Sequence, residues 1–365
     1  MIEHIVRISR PLGPDRQEKT GVDPRRYFEH VGDARTPIAS AGPVCLYLEV
    51  TNRCNLLCET CPRTFEDLEP PADMSWDLFR RIVDQYPSIS RVVMHGVGEP
   101  MLVRALPRMV RYLTDRGTYV LFNTNGTLLT EKKGDELAAA GLHELRVSLD
   151  AANREVFREV RGKDMFDRIV RNLRAFIRRR REAGQDRPRV SLWLTGLKET
   201  LDQLDDFVRL AEDVGVGEVY LQRLVFFPEG RGLARERSAL FESLQADETR
   251  KIEAAQHLAR SRGIRFDASG ATEPGTSVKR SGEEKPWSLC RRPWTLMYFT
   301  AHGRALPCCI APFSVPGYEN FTLGDAKVDT LEAIWNGSAY TAFRRALLSD
   351  RPPATCAGCG MRWSL

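Results

Sequence analysis

The sequence predicts an α/β fold: a parallel sheet built from β-α-β units, followed by a smaller cysteine-rich module. Three observations predict it. Six strand-like apolar runs alternate with helix-period segments between residues 44 and 226, a polar Gly/Pro/Ser stretch follows near residue 270, and residues from about 287 onward hold five of the nine cysteines. A chain of 365 residues has room for two or three domains.

Taken in order, residues 1–43 contain Pro11, Pro14, Pro24, Pro37 and Pro43 without a sustained period, and read as an irregular N-terminal arm. The strand-like runs are 44–50, 91–95, 118–123, 144–149, 190–195 and 218–226, with helical patterns near 75–86, 103–116, 131–140, 165–182 and 200–214. Ser75 is placed to cap the first helix, whose apolar face is Trp76, Phe79, Ile82 and Val83. A long helix is expected over about 236–262. Residues 44–265 thus form the first domain and 266–286, with Gly270, Pro274, Gly275, Ser281 and Gly282, a linker. Residues 287–365 form the second, smaller module. Strands joined by helices imply right-handed crossovers, in a sheet that is either doubly wound or a barrel-like wall. In both, chemistry sits by default on loops after the strand C-termini.

Composition narrows the classes. With 42% hydrophobic and 28% charged residues the chain is globular rather than disordered, collagen-like or a coiled coil. No run approaches the ~20 apolar residues of a membrane helix, and the N-terminus lacks a signal-peptide core, so a cytoplasmic protein without a membrane partner is expected. Thiols there stay reduced, and closely spaced cysteines point to metal or redox chemistry. The net charge of +5 is small. Its largest basic cluster, Arg171, Arg174 and Arg178 to Arg181, falls at a helix C-terminus, where the helix dipole favours cations. No nucleic-acid-binding motif accompanies it, so no nucleic-acid partner is expected.

Cys54, Cys58 and Cys61 form C-x3-C-x2-C directly after the first strand. Thiolates suit zinc or iron–sulfur clusters, but a structural zinc wants four protein ligands, and no fourth cysteine or histidine lies nearby in sequence. Three thiolates on a cubane leave one iron open. This motif in this position resembles the radical S-adenosylmethionine (SAM) enzymes. The resemblance implies a partial (β/α)6 TIM-like barrel and a [4Fe–4S] cluster whose open iron is chelated by SAM. Reductive cleavage of SAM then gives a 5′-deoxyadenosyl radical that abstracts a substrate hydrogen, with a flavodoxin- or ferredoxin-type reductant as electron source. Thr60 stands where the family usually has an aromatic residue. Val97-Gly98-Glu99, after the second strand, is similar to the family's Gly-Gly-Glu motif for the SAM amino group. The resemblance also implies SAM contacts from Asn125, Ser148 and Asp150 at later strand ends, from Arg161 toward the SAM carboxylate, and from Leu194 in a partial adenine-binding segment.

Strand alternation gives an independent argument. Tyr47 with Glu49, Val93 with His95, Leu121 with Asn123, and Ser148 with Asp150 each share a strand face. Several strands ending in polar groups, Glu49 and His95 among them, suggest one shared wet pocket, because an unpartnered buried polar group is costly.

In the second module, Gly303 leads a G-x4-C element ending at Cys308 that reads as a turn entering a strand. Cys356 and Cys359 form C-x2-C, and Cys290 supplies a fourth thiol. Four thiolates saturate a [4Fe–4S] cluster or a zinc. The pattern resembles the SPASM and twitch auxiliary-cluster domains, with Asn320, Gly324, Trp335 and Asn336 fitting, and implies one auxiliary [4Fe–4S] cluster, since the chain stops six residues after Cys359. Cys45 and Cys309 remain as candidate catalytic hydrogen donors. A fully ligated auxiliary cluster suits electron transfer, which favours oxidation of an alcohol carbon in a sugar or aminocyclitol-type natural-product intermediate. The alternatives are redox-neutral epimerisation of a carbohydrate with a cysteine hydrogen donor, and maturation of a ribosomal peptide, for which the first ~43 residues look too short and irregular.

Overall fold

The computed structural model describes residues 35–227, 229–240, 243–269, 273–278, 285–317 and 321–357. Most of the expected N-terminal arm, Gly270, Ser281 and Gly282 of the expected linker, and Asn320 and Cys359 lie outside the described residues.

Parallel strands β1 (Cys45–Leu48), β2 (Arg91–Met94), β3 (Tyr119–Thr124), β4 (Glu144–Ser148), β5 (Arg189–Gly196), β6 (Glu218–Arg223) and β7 (Arg265–Ala268) follow one another across the sheet. Between them run helices α1 (Trp76–Val83), α2 (Leu106–Thr114), α3 (Glu131–Ala139), α4 (Arg154–Arg161), α5 (Phe166–Glu182), α6 (Leu204–Val214) and α7 (Ala246–Ser261). Alternation along each strand sorts the side chains. Leu46, Leu48, Val92, Met94, Val120, Phe122, Val147, Leu192 and Val219 pack outward into one core with the helices. Ser75 caps α1 as expected, accepting the backbone N–H of Leu78 at 3.1 Å.

The second module does not build its own sheet. Its strand β8 (Leu296–Phe299) pairs in parallel with β1, and β9 (Arg304–Leu306) and β10 (Gly324–Asp325) extend that edge antiparallel. The result is one ten-stranded sheet in the order β10-β9-β8-β1-β2-β3-β4-β5-β6-β7. Helices α8 (Leu331–Trp335) and α9 (Ser338–Leu347) close its outer side, with Leu331, Ile334, Trp335 and Leu347 joining the main core. Gly303 turns into β9 at φ 89°, matching the expected turn-into-strand element.

Three sequence expectations need correction. The helix over 236–262 begins only at Ala246, where a capping box of Gln245 and Glu248 starts it; residues 229–240 instead fold across the cysteine loop, with the Leu233 N–H donating to Glu59 O at 2.8 Å. The linker over 266–286 contains most of β7, which Phe266 and Ala268 anchor in the core, so a seventh strand joins the expected six. Helix α4 lies where no helical pattern was expected; Asn153 caps it and Gly162, at φ 70°, ends it.

Candidate functional site

The three thiols of Cys54, Cys58 and Cys61 sit on one loop after β1, and three later segments pin that loop. From the β2 side, the Glu99 N–H donates to Arg53 O at 2.8 Å. Gly98 is required there, because a Cβ would lie 2.1 Å from Thr51 O. From β3, Asn125 donates through Nδ2 to Asn55 Oδ1 at 2.8 Å and reaches Cys54 Sγ at 3.8 Å. From α4, Arg161 O and Val160 O accept the N–H groups of Leu57 and Glu59. A Cβ on Gly162 would sit 2.3 Å from Leu57 O, so this approach also depends on glycine.

Glu99, Asp150 and Arg161 are buried in this frame. Glu99 accepts from Met101 N, Asn125 N and Thr124 Oγ1 at 2.7–2.9 Å, tying the β2 loop to the end of β3. Asp150 holds a positive φ of 64°, accepts the Thr195 N–H at 2.7 Å and pairs with Arg161 at 2.8 Å. Arg161 also donates to Cys58 Sγ at 3.5 Å, while its buried Nε has no hydrogen-bond partner in the protein. Ser148 ends β4, half-buried and in register with Trp193.

The frame suits the expected cofactor. Three soft thiols share one fixed loop, two of them receive N–H donors of the kind that tune cluster potential, and an unpartnered buried N–H stands beside them for an anionic group. Leu194 departs from its expected role. Its side chain packs in the main core on the helix side of β5, because alternation gives the inner face to Trp193 and Thr195.

Inside the sheet lies a cavity of about 140 Å³. Tyr47, His95 and Asn123 line it as the alternation argument expects. So do Arg146, Trp193, Thr195, Tyr220 and Gln222, which sequence reasoning missed although Arg146 lies two residues before Ser148 and the pairs Trp193/Thr195 and Tyr220/Gln222 each share a strand face. Trp193 stacks on Tyr220 with ring centroids 3.9 Å apart, and the Arg146 guanidinium lies over Trp193 at 4.5 Å. Thr60, between two loop cysteines, also lines it, as do Cys309 and Arg292 from the second module. Arg292 NH1 donates to Cys309 Sγ at 3.5 Å. Burial, and then Arg146 and Arg292, push the His95 imidazole down to about 4, so it is uncharged at neutral pH.

Glu49 and Cys45 need correction as pocket groups. Glu49 lies beyond the end of β1, where its buried carboxylate accepts from Val97 N, Tyr298 Oη and Ala301 N at 2.9–3.2 Å. Cys45 sits among Val93, Leu121 and Leu296, deeper than the cavity, and burial pushes its thiol up to about 12. In the second module Cys308 packs beside Tyr298 and Leu306, and Cys290 and Cys356 are half-buried against the main core. Among the described residues, no group of three or more Cys, His, Asp or Glu side chains is gathered as for a single metal ion, and no helix is long and apolar enough to cross a membrane.

A parallel barrel wall with a pinned three-cysteine loop after its first strand is the arrangement of a radical SAM protein. The Radical SAM superfamily model matches residues 48–211, and the model of the SPASM iron–sulfur cluster-binding domain matches residues 290–360. The chain is therefore a radical SAM enzyme with a C-terminal SPASM domain, and its cofactors are SAM, the [4Fe–4S] cluster of the radical SAM domain and auxiliary iron–sulfur chemistry in the SPASM domain.

Among curated relatives, a tungsten-containing aldehyde ferredoxin oxidoreductase cofactor-modifying protein of Pyrococcus furiosus is 32% identical over 49% of this chain, which spans about half (51%) of that protein's length. The mycofactocin maturase MftC of Mycolicibacterium smegmatis is 27% identical over 87% of this chain and 76% of its own. An AdoMet-dependent heme synthase of Methanosarcina barkeri is 26% identical over 87% and 88%. Streptococcus suis SuiB bound to S-adenosylmethionine shares the fold at a TM-score of 0.63 and 17% identity, covering 87% of this chain and 73% of that one.

Proposed function

We propose that this enzyme oxidises an alcohol carbon of a small substrate held in the central cavity, a sugar-type intermediate being the class that fits. The observation that carries the reading is the cavity's lining: Thr60 from the radical SAM cysteine loop and Cys309, next to Cys308, both line one space. Cys54, Cys58 and Cys61 would hold the SAM-activating cluster. Gly98, Asn125, Ser148, Asp150 and Arg161 would frame the SAM site, and Cys290, Cys308, Cys356 and Cys359 would hold one auxiliary cluster. When bound, these groups would supply a hydrogen-abstracting 5′-deoxyadenosyl radical and an electron acceptor. The residues around the substrate would orient it and exclude water, and the uncharged His95 ring would accept a hydrogen bond from the substrate hydroxyl. A flavodoxin- or ferredoxin-type protein would deliver the initiating electron.

A second reading is favoured by one side chain. Burial pushes the Cys309 thiol up to about 11, keeping it protonated inside the cavity. A protonated thiol facing the substrate is what a redox-neutral epimerase needs as hydrogen donor. Similarity to the mycofactocin maturase over 87% of this chain makes a peptide a third candidate substrate. The test is anaerobic turnover in deuterium oxide with a panel of sugars, sugar acids, sugar phosphates and peptides, read by mass spectrometry. Oxidation predicts a product lacking one H2 and containing no solvent deuterium on carbon. A product of unchanged composition carrying one deuterium would replace it with epimerisation.

A further inference from the structure

We infer that Arg35 is a positioning residue for Cys290, and that residues 35–44 form a clasp belonging to the auxiliary-cluster site rather than a loose arm ahead of β1. The inference rests on reading Cys290, Cys308, Cys356 and Cys359 as the auxiliary-cluster ligands. The three described ones are half-buried thiols, a soft donor set that fits such a cluster.

The segment Arg35-Thr-Pro-Ile-Ala-Ser-Ala-Gly-Pro-Val44 forms no helix or strand, so what holds it comes from elsewhere. The second module supplies it. Trp294 Nε1 donates to Thr36 O at 2.7 Å, Arg344 Nη1 to Pro37 O at 3.4 Å and Trp335 Nε1 to Ala41 O at 2.8 Å. Asn336 holds both backbone groups of Ala39, accepting from its N–H at 2.9 Å and donating to its carbonyl at 3.1 Å. The Val44 N–H donates to Thr295 O at 3.0 Å, directly ahead of β1. Arg344 is wholly buried and also donates through Nε to Pro293 O at 2.8 Å, so one side chain ties the segment to the residues that follow Cys290. A polar network of this kind rigidifies the backbone that it satisfies.

At its N-terminal end the clasp reaches the cysteine. Arg35 donates through Nη1 to the carbonyls of Ser288 and Cys290, the second at 2.9 Å, and its guanidinium lies over the Trp294 ring at 5.6 Å. The Cys290 N–H is itself held by Trp287 O at 3.1 Å. The peptide units on both sides of Cys290 are thus fixed, one of them by a cation from the far end of the chain. Such a contact sets the direction from which a ligating thiol is presented. It also puts a positive charge beside a group that becomes more negative on reduction, and so favours the reduced form.

The test uses the full-length Cys54→Ala, Cys58→Ala, Cys61→Ala variant, anaerobically reconstituted, in which only the auxiliary cluster is left. Arg35→Gln, Arg35→Lys and Asn336→Ala are compared in that background by release of iron to a chelator, EPR-monitored redox titration and thermal melting. Arg35→Gln keeps an N–H donor without the charge. It should release iron about tenfold faster or more and shift the midpoint potential downward. Arg35→Lys keeps the charge and should shift the potential less. Asn336→Ala breaks the clasp away from Cys290, and should lower the thermal midpoint while leaving the potential in place.

An unchanged potential in Arg35→Gln would overturn the inference even if iron leaves faster. So would an equal shift in Asn336→Ala, which marks general loosening. A triple variant that holds no iron, beside a wild type that holds about four, would instead remove the auxiliary-cluster reading on which the inference stands.

Discussion

Glu49 accepts hydrogen bonds from the β2 loop and from the second module at once, yet burial still pushes its carboxyl up to about 7 from an ordinary 4.5. The folded protein thus favours the protonated form. Its contribution to stability is fully present below about pH 4.5 and is lost as the pH rises through about 7, a change on the order of 3 kcal/mol. Comparing the thermal midpoints of the wild type and Glu49→Gln between pH 5 and 8 checks this. The wild type should lose more stability across that range, and parallel curves would contradict it. Cys309 and Cys45 differ in a comparable way. Cys309→Ala should alter solvent-hydrogen incorporation or turnover, whereas Cys45→Ala should leave both unchanged and cost about 1 kcal/mol of packing. Loss of turnover in Cys45→Ala alone would reverse the assignment. Both cysteines could be recognised in the sequence as spare; which one faces the cavity depends on packing between distant strands, and only Cys309 does.

At the level of elements, the cysteine loop is held by backbone contacts that only glycine permits. Gly98→Ala and Gly162→Ala should each displace the loop and lower iron from about eight to about four per chain, leaving the auxiliary cluster in place. Gly184→Ala is the control: its φ of 61° is strained for alanine, but nothing lies within 4 Å, so a cost of about 1 kcal/mol with full iron content is expected. Equal iron loss in all three would show general destabilisation instead. The six strands and the helices over 75–86, 103–116, 131–140, 165–182 and 200–214 were legible because their apolar periods are strong. Helix α4 was not, since only Val156, Phe157 and Val160 are apolar among its charged residues. The inner-face residues Arg146, Trp193 and Tyr220 were legible in principle, by carrying the period of two back from the strand ends. Leu194 failed by the same rule, lying one residue out of phase with the cavity.

For the whole molecule, the decisive feature is that the SPASM-matching segment completes the sheet of the radical SAM domain. No local signal reveals a parallel pairing between β1 and β8, which lie about 250 residues apart, so the sequence reading left the second module separate. Removing residues after Ser269 would expose the edge of β1, strip Glu49 of the Tyr298 and Ala301 donors and uncover core side chains of β1. That truncated chain should aggregate rather than unfold cooperatively as a soluble monomer, which size-exclusion chromatography with thermal melting would show. The same continuity brings Thr60 of the first cysteine loop and Cys309 of the second module to one cavity, and the proposed chemistry depends on both.

The most direct measurement is 5′-deoxyadenosine formation from SAM, by chromatography, in anaerobically reconstituted wild type and in the Cys54→Ala, Cys58→Ala, Cys61→Ala triple variant, with iron counted in parallel. The wild type should hold about eight irons and form the nucleoside, and the triple variant should hold about four and form none. Reductive cleavage of SAM that persists in the triple variant would contradict the account.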